Sequence, residues 1–103
     1  GGVGVAPSLN AGHEHAMAQA VHGTAPDIAG KGLANPSALL ASTAMLLRWF
    51  DQNRPNKRCR DAASLIERGI QAAMEGGVAT VDLGGKAGTD DYTRAIVKAI
   101  GKL

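Results

Sequence analysis

The sequence predicts an α/β fold, here a partial domain that is mostly helical: three helices joined to short strands. Three observations carry that reading. Apolar residues recur at helical spacing in three stretches, 36–50, 55–75 and 89–103. Short strand-like runs precede glycine-rich loops, the order in which α/β folds present backbone amides to a ligand. Aromatics make up only 3% of the 103 residues and 14 are glycine, so the core rests on Ala, Val, Ile, Leu and Met. That is thin for an independent domain, since small chains bury a modest fraction of their surface.

In chain order, residues 1–12 read as a glycine-rich strand or loop ending in Pro7-Ser8, with an entry loop preferred for Gly2-x-Gly4. Gly2-x-Gly4 invites a dinucleotide fingerprint, but the third glycine is missing and Pro7 sits where the first helical turn belongs. His13-Glu14-His15 places two imidazoles around a carboxylate. Residues two apart share a face only on a strand, and no third ligand stands nearby, so a surface loop is the better reading than a metal site. Ala16–Val21 reads as a buried strand, ended by His22.

Next comes the stretch that organises the chain: His22-Gly23-Thr24-Ala25-Pro26-Asp27-Ile28-Ala29-Gly30-Lys31-Gly32-Leu33-Ala34-Asn35-Pro36. Small residues let the backbone approach a ligand closely. Asn35 is a good cap and Pro36 suits a first helical position, so a helix is expected from there to about Phe50. Leu39, Leu40, Thr43, Leu46, Leu47 and Phe50 share its spacing, while Ala38, Ala41, Ala44 and Met45 leave little polar face. Such a helix is expected to be buried on most sides, more than 103 residues can supply.

Asp51–Pro55 reads as a break. A second helix is expected over about 55–75, with Ala62, Leu65, Ile66, Gly69, Ile70, Ala73 and Met74 as its stripe and Gly76-Gly77 as its stop. Val78–Asp82 reads as extended, compatible with a short strand, and 83–88 as a second flexible loop. Thr89 is expected to cap the last helix, with Asp90 and Asp91 in its first turn and Lys98 and Lys102 in its last, matching the helix dipole. Tyr92, Ile96, Ala99, Ile100 and Leu103 form its inward stripe.

Eleven basic and nine acidic residues leave a net charge of +2, too small a bias to argue for nucleic acid. The cluster Arg54, Lys57, Arg58 and Arg60 reads as a solvated helix start. The single Cys59 excludes an internal disulfide and fits a reducing compartment. The longest apolar run, Leu39–Leu47, is too short to span a bilayer. With no secretory pattern at the N-terminus, a soluble, cytoplasmic protein is expected, without membrane contact. The opening Gly1-Gly2-Val3-Gly4 lacks an initiator Met, so a piece of a longer polypeptide is expected.

The central loop suits an adenosine ligand. Asp27 can accept from a ribose hydroxyl and would repel a 2′-phosphate. His22 can stack on or bond to adenine, and Asn35 offers both a donor and an acceptor to its edge. Asp82 stands before the second loop and can meet the same ligand. Taken singly, Asp27 is equally a turn residue, Asn35 a plain cap and His22 a strand end; their company in one loop favours the ligand.

These residues resemble the coenzyme-binding loop of the isocitrate/isopropylmalate dehydrogenase family, the metal-dependent β-decarboxylating dehydrogenases. The segments Gly2-Val3-Gly4-Val5-Ala6-Pro7-Ser8-Leu9-Asn10, Asp82-Leu83-Gly84-Gly85 and Ala87-Gly88-Thr89 resemble the family's flanks of that loop. The resemblance covers the whole chain but only the C-terminal part of the family's enzyme, and makes residues 1–103 an incomplete coenzyme-binding segment. It implies that His22, Gly23, Ala25, Asp27, Ile28, Asn35 and Asp82 surround the adenosine half of NAD. The family's NADP-dependent members carry Lys-Tyr where this chain has Asp27-Ile28. Gln19 stands where many members have Glu near the nicotinamide.

The resemblance also implies oxidation and decarboxylation of a 2-hydroxy acid, with Mg2+ or Mn2+ polarising the carbonyl in the full-length enzyme. The metal-binding and catalytic residues would lie upstream; none is assigned here. The expected partners are the nucleotide coenzyme, the N-terminal remainder of a parent enzyme, and further copies in a homo-oligomer. A reading of another class is a non-catalytic, self-associating interaction module.

Overall fold

The computed structural model describes residues 5–102. Two strands and three helices follow in the order β1 (Pro7–Ala11), β2 (Ala16–Ala20), α1 (Ser37–Asn53), α2 (Lys57–Glu75) and α3 (Thr89–Gly101). The strands pair antiparallel, Pro7 opposite Ala20 and Ala11 opposite Ala16, as a two-stranded hairpin. Three helices with short strands are therefore present as expected. Gly2-x-Gly4 and Leu103 lie outside the described residues.

The hairpin corrects two expectations. Of the strand and loop left open for residues 1–12, Pro7–Ala11 is a strand and not the preferred entry loop, because β2 supplies a partner for its backbone. Proline is tolerated at its first residue, where no ladder donor is needed. Ala16–Ala20 is not buried: residues alternate between half-buried and exposed, with Met17 among the exposed ones. A two-stranded sheet has one face against α1 and the other open. His13 and Glu14 cap the hairpin as an exposed turn, closed by the Gly12 N–H donating to the His15 carbonyl at 2.8 Å.

One hydroxyl ties the hairpin to α1. Ser42, fully buried, accepts from the Ser8 N–H at 2.9 Å. Its single hydrogen is shared between the Gln19 and Ala38 carbonyls, both at 2.8 Å.

α1 departs most from the expected packing. Its buried residues are Ser37, Ala38, Ser42 and Ala44, whereas Leu39 is 55% and Phe50 41% exposed, and Met45 is exposed too. The helix faces its neighbours with small side chains, which let the backbones come close, and turns several large ones outward. It also runs on through Asp51–Asn53, where a break was expected. Asp51 accepts a bidentate pair from Arg60, both at 3.0 Å, and the Asn56 N–H at 2.8 Å. These bonds set the corner into α2, whose first turn is capped by Asn56 accepting from the Cys59 N–H at 3.1 Å.

The Arg60 guanidinium, followed by the Asn56 amide, holds the Asp51 carboxyl below the usual carboxylate range. A lowered folded-state pKa contributes stability above the ordinary value of about 3.9, which is lost as pH falls through the folded value. Thermal midpoints followed through that acid range should therefore fall less for Asp51→Asn than for the parent sequence. An equal fall would show that the corner contributes nothing to acid sensitivity.

The core lies between α2 and α3, where Ala73, Tyr92 and Ile96 gather Leu40, Ile70, Val78, Ala87, Ala95 and Ile100. Gly69 admits α3: a β-carbon there would stand 2.6 Å from Cγ1 of Ile100. Asp90, Asp91 and Lys98 occupy the α3 ends that the dipole favours. Thr89 is the first helical residue and not the cap, because its hydroxyl donates to the Ala34 carbonyl; Gly88 stands at the cap position. Val78–Asp82 forms no strand of its own. A single parallel bridge joins Thr80 to Ala87, and Val81–Leu83 is one tight helical turn.

Candidate functional site

The loop between β2 and α1 is shaped by its backbone. Pro26 fixes a tight helical turn, Pro26–Ile28, entered through Ala25 at φ 45°, a left-handed conformation unusual for a residue with a β-carbon. The Ile28 N–H donates to the Ala25 carbonyl and the Lys31 N–H to the Ile28 carbonyl, both at 3.1 Å. Gly30 at φ 77° and Gly32 at φ 66° then turn the chain back, where glycine alone is unstrained. His22 Nδ1 lies 2.9 Å from the Gly23 carbonyl. A carbonyl only accepts, so Nδ1 is the donor in this contact.

The far side of the loop is tied to the start of α3. The Thr89 N–H donates to the Gly32 carbonyl at 2.8 Å, and the Thr89 hydroxyl holds the Ala34 carbonyl. Between loop and helices, Asn35 is 8% exposed. Its Oδ1 accepts from the Ser37 N–H at 2.9 Å, and its Nδ2 donates to Asp82 Oδ2 at 3.2 Å. The helix starts one residue later than expected: Pro36 stands at the cap position of α1 and Ser37 is its first residue, so Asn35 bonds to the helix start from one position outside the cap. Asp82 Oδ1 accepts in turn from the buried Thr80 hydroxyl.

These elements enclose a cavity of about 430 Å3 lined by His22, Gly23, Ala25, Ile28, Leu33, Ala34, Asn35, Val81 and Asp82. Drug-sized ligands occupy pockets of about 300–1,000 Å3. Its walls are chiefly apolar, with imidazole, amide and carboxylate groups at the edges, and neither Lys nor Arg lines it. Such a lining suits a neutral ring and sugar better than a phosphate. Six of the seven residues expected at the site from sequence, His22, Gly23, Ala25, Ile28, Asn35 and Asp82, thus meet at one cavity. The seventh, Asp27, is exposed on the turn beside Ile28 and is not among the lining residues.

Leu33 and Ala34 complete the wall from within the same loop. Val81 comes from the tight turn, and only its place beside Asp82 marks it in the sequence. A second cavity, about 600 Å3, lies between the hairpin tip and the end of α1, lined by His13, Glu14, His15, Trp49, Phe50, Asn53 and Arg54. Among the described residues, no group of three or more His, Cys, Asp or Glu can hold a metal ion.

The sequence profile described as isocitrate/isopropylmalate dehydrogenase matches residues 1–100. The chain belongs to the isocitrate/isopropylmalate dehydrogenase family. It is 44% identical over 103 residues to the isocitrate/homoisocitrate dehydrogenase of Thermus thermophilus, covering all of this chain and 29% of that enzyme. It is 46% identical over 97 residues to a mitochondrial NAD isocitrate dehydrogenase catalytic subunit of Arabidopsis thaliana, covering 93% and 24%. An NADP isocitrate dehydrogenase of Rickettsia typhi matches at 42% over 109 residues, covering all of this chain and 21% of that enzyme.

The fold agrees. The crystal structure of isocitrate dehydrogenase from Methylococcus capsulatus superposes with a TM-score of 0.84 at 39% identity, over 97% of this chain and 28% of that one. The chain thus spans less than a third of the relatives it matches, and those relatives are larger enzymes. The isocitrate/isopropylmalate dehydrogenase family includes members named for NAD and for NADP.

Proposed function

We propose that residues 1–103 are the coenzyme-binding segment of an NAD-dependent, β-decarboxylating 2-hydroxy-acid dehydrogenase of the isopropylmalate/isocitrate type. The observation that carries this reading is the convergence of His22, Gly23, Ala25, Ile28, Asn35 and Asp82 on one apolar cavity free of Lys and Arg. Such a cavity takes the adenosine half of a dinucleotide. NAD, when bound, supplies the hydride acceptor.

The residues here bind and orient. The Ala25–Ile28 turn and the Leu33–Ala34 wall exclude water from the base. His22 Nε2 and the Asn35 amide offer polar contacts to it. Asp27, exposed beside Ile28, accepts from a ribose hydroxyl and repels a 2′-phosphate. The Mg2+ or Mn2+ of such a reaction finds no donor set among the described residues, so no metal step is assigned to them. The cytoplasm is the compartment we assign, in keeping with a lone, unpaired cysteine.

The test is thermal unfolding with NAD and with NADP. A ligand present at 100 times its Kd stabilises the folded state by about 2.7 kcal/mol. For a domain of this size that raises the midpoint by on the order of 10 °C. NAD should produce that rise and NADP a much smaller one; equal shifts would remove the role of Asp27. The outward-facing Leu39, Met45 and Phe50 favour a second reading, a self-associating module. A dimer by light scattering without any NAD-induced shift would replace the first reading with the second.

A further inference from the structure

We infer that Asp82 is a positioning residue: it acts on a bound nucleotide through Asn35, by fixing which way the Asn35 amide faces. The inference rests on the coenzyme reading above and deepens it. An asparagine amide can ordinarily turn over, exchanging its oxygen and nitrogen. Here both ends are committed. Oδ1 receives the Ser37 N–H, which can only donate. Nδ2 donates to the Asp82 carboxylate, which can only accept when ionised. Turning the amide over would set NH2 against N–H and oxygen against carboxylate, losing both bonds and adding two repulsive contacts.

Asp82 is itself held. The hydroxyl of Thr80, wholly buried, donates to its other oxygen, and the Thr80 carbonyl accepts the Leu83 and Gly85 N–H groups at 3.0 and 2.9 Å. The chain of command runs from a buried threonine through an exposed carboxylate to a buried amide.

The consequence is chemical. Asn35 retains one Nδ2 hydrogen without a protein partner among the described residues, and it lines the cavity. Its oxygen is already engaged at the helix start. The cavity therefore sees a donor from Asn35, and the ligand must answer with an acceptor. On a purine that is a ring nitrogen. Of the donor-and-acceptor reading of Asn35, the unshared Nδ2 hydrogen is the part offered to the ligand, and Asp82, which itself lines the cavity, fixes the amide that carries it.

The experiment uses the 103-residue chain labelled with nitrogen-15. The Asn35 side-chain amide gives two proton signals, assigned by their loss in Asn35→Ala. In Asp82→Asn, close in shape, both signals should move, and NAD affinity should fall about tenfold, the scale of one lost hydrogen bond. Thr80→Val should move them in the same sense by less. Asn35→Ala added to Asp82→Asn should cost no further affinity, as for residues acting in series. AMP analogues with carbon in place of N1, N3 or N7 supply the second readout. One of them should bind about tenfold more weakly to the parent chain and be indifferent to Asn35→Ala.

Unmoved Asn35 signals in Asp82→Asn, or additive losses in the double variant, would overturn the positioning role. If all three analogues bind like AMP, the donor assignment falls. Should NAD fail to shift any signal of the parent chain, it is the nucleotide reading that fails, and the Asn35 signals still decide the orientation.

Discussion

Replacing Gly85 with alanine should lower the thermal midpoint by on the order of 15 °C and deform the cavity around Asp82. A β-carbon at this position would lie 2.0 Å from the Ala79 carbonyl oxygen and 2.5 Å from its carbon. Those are backbone atoms, which cannot rotate away as a side chain does. The same carbonyl receives the Ala87 N–H at 2.9 Å, so moving it also breaks the bridge between Thr80 and Ala87. Overpacking of this kind costs about 3 kcal/mol, out of a stability of about 5–15 kcal/mol. Circular dichroism melting of Gly85→Ala beside Gly84→Ala separates the causes. Gly84, at φ 82° with open space for a β-carbon, carries only backbone strain and should lose less. Equal losses would show that the close approach to Ala79 is readily relieved.

The second large effect belongs to Tyr92. It is 0% exposed, belongs to the core cluster, and its hydroxyl accepts from the Ser37 hydroxyl at 2.9 Å. Tyr92→Ala would leave a cavity where α3 meets α1 and α2, a loss of about 3–5 kcal/mol by the measure of other aromatic truncations. That is a large share of a stability of about 5–15 kcal/mol. Tyr92→Phe keeps the ring and loses one bond, leaving Ser37 to find another acceptor, for about 1 kcal/mol. Denaturant titration of the pair reads both numbers. A Phe variant as unstable as the Ala variant would place the stabilisation in the hydroxyl rather than in the ring.

Tyr92 and Gly85 also show how much of the fold is legible in the sequence. Tyr92 falls on the inward stripe of α3 by spacing alone, and Asp90, Asp91 and Lys98 mark the ends of that helix by charge. The Gly76-Gly77 stop was legible as well, because left-handed geometry depends on neighbours in sequence, whereas the start of α1 fell one residue later than Asn35-Pro36 implied, with Pro36 itself at the cap. The close approach at Gly85 was not, since it depends on where Ala79 comes to lie. Pro7–Ala11 stays open between strand and loop in the sequence for a related reason: its partner is β2, and nothing within the five residues decides for a strand.

The packing of α1 was misread because hydropathy ranks Leu39 and Phe50 above Ser42. The structure uses Ser42 for its hydroxyl and Ala38 and Ala44 for their small size. At the candidate site, the loop from His22 to Asn35 was legible as one stretch, being dense in turn residues. Thr80 was not, because its part depends on Asp82 and Asp82's part depends on Asn35, 47 residues away in sequence.

The bonds from Thr89 to Gly32 and Ala34 have a consequence for the order in which the molecule is made. Thr89 follows the Ala34 it holds by 55 residues of chain. During vectorial synthesis, His22 to Asn35 emerges before Val81 and Asp82, the second wall of the cavity. Closing so long a loop carries an entropic cost that local contacts do not repay. The cavity is thus completed late: a nascent chain halted before Val81 has all the residues of the loop and lacks the wall that Val81 and Asp82 supply, and one halted before Thr89 lacks the bonds that tie the loop to α3.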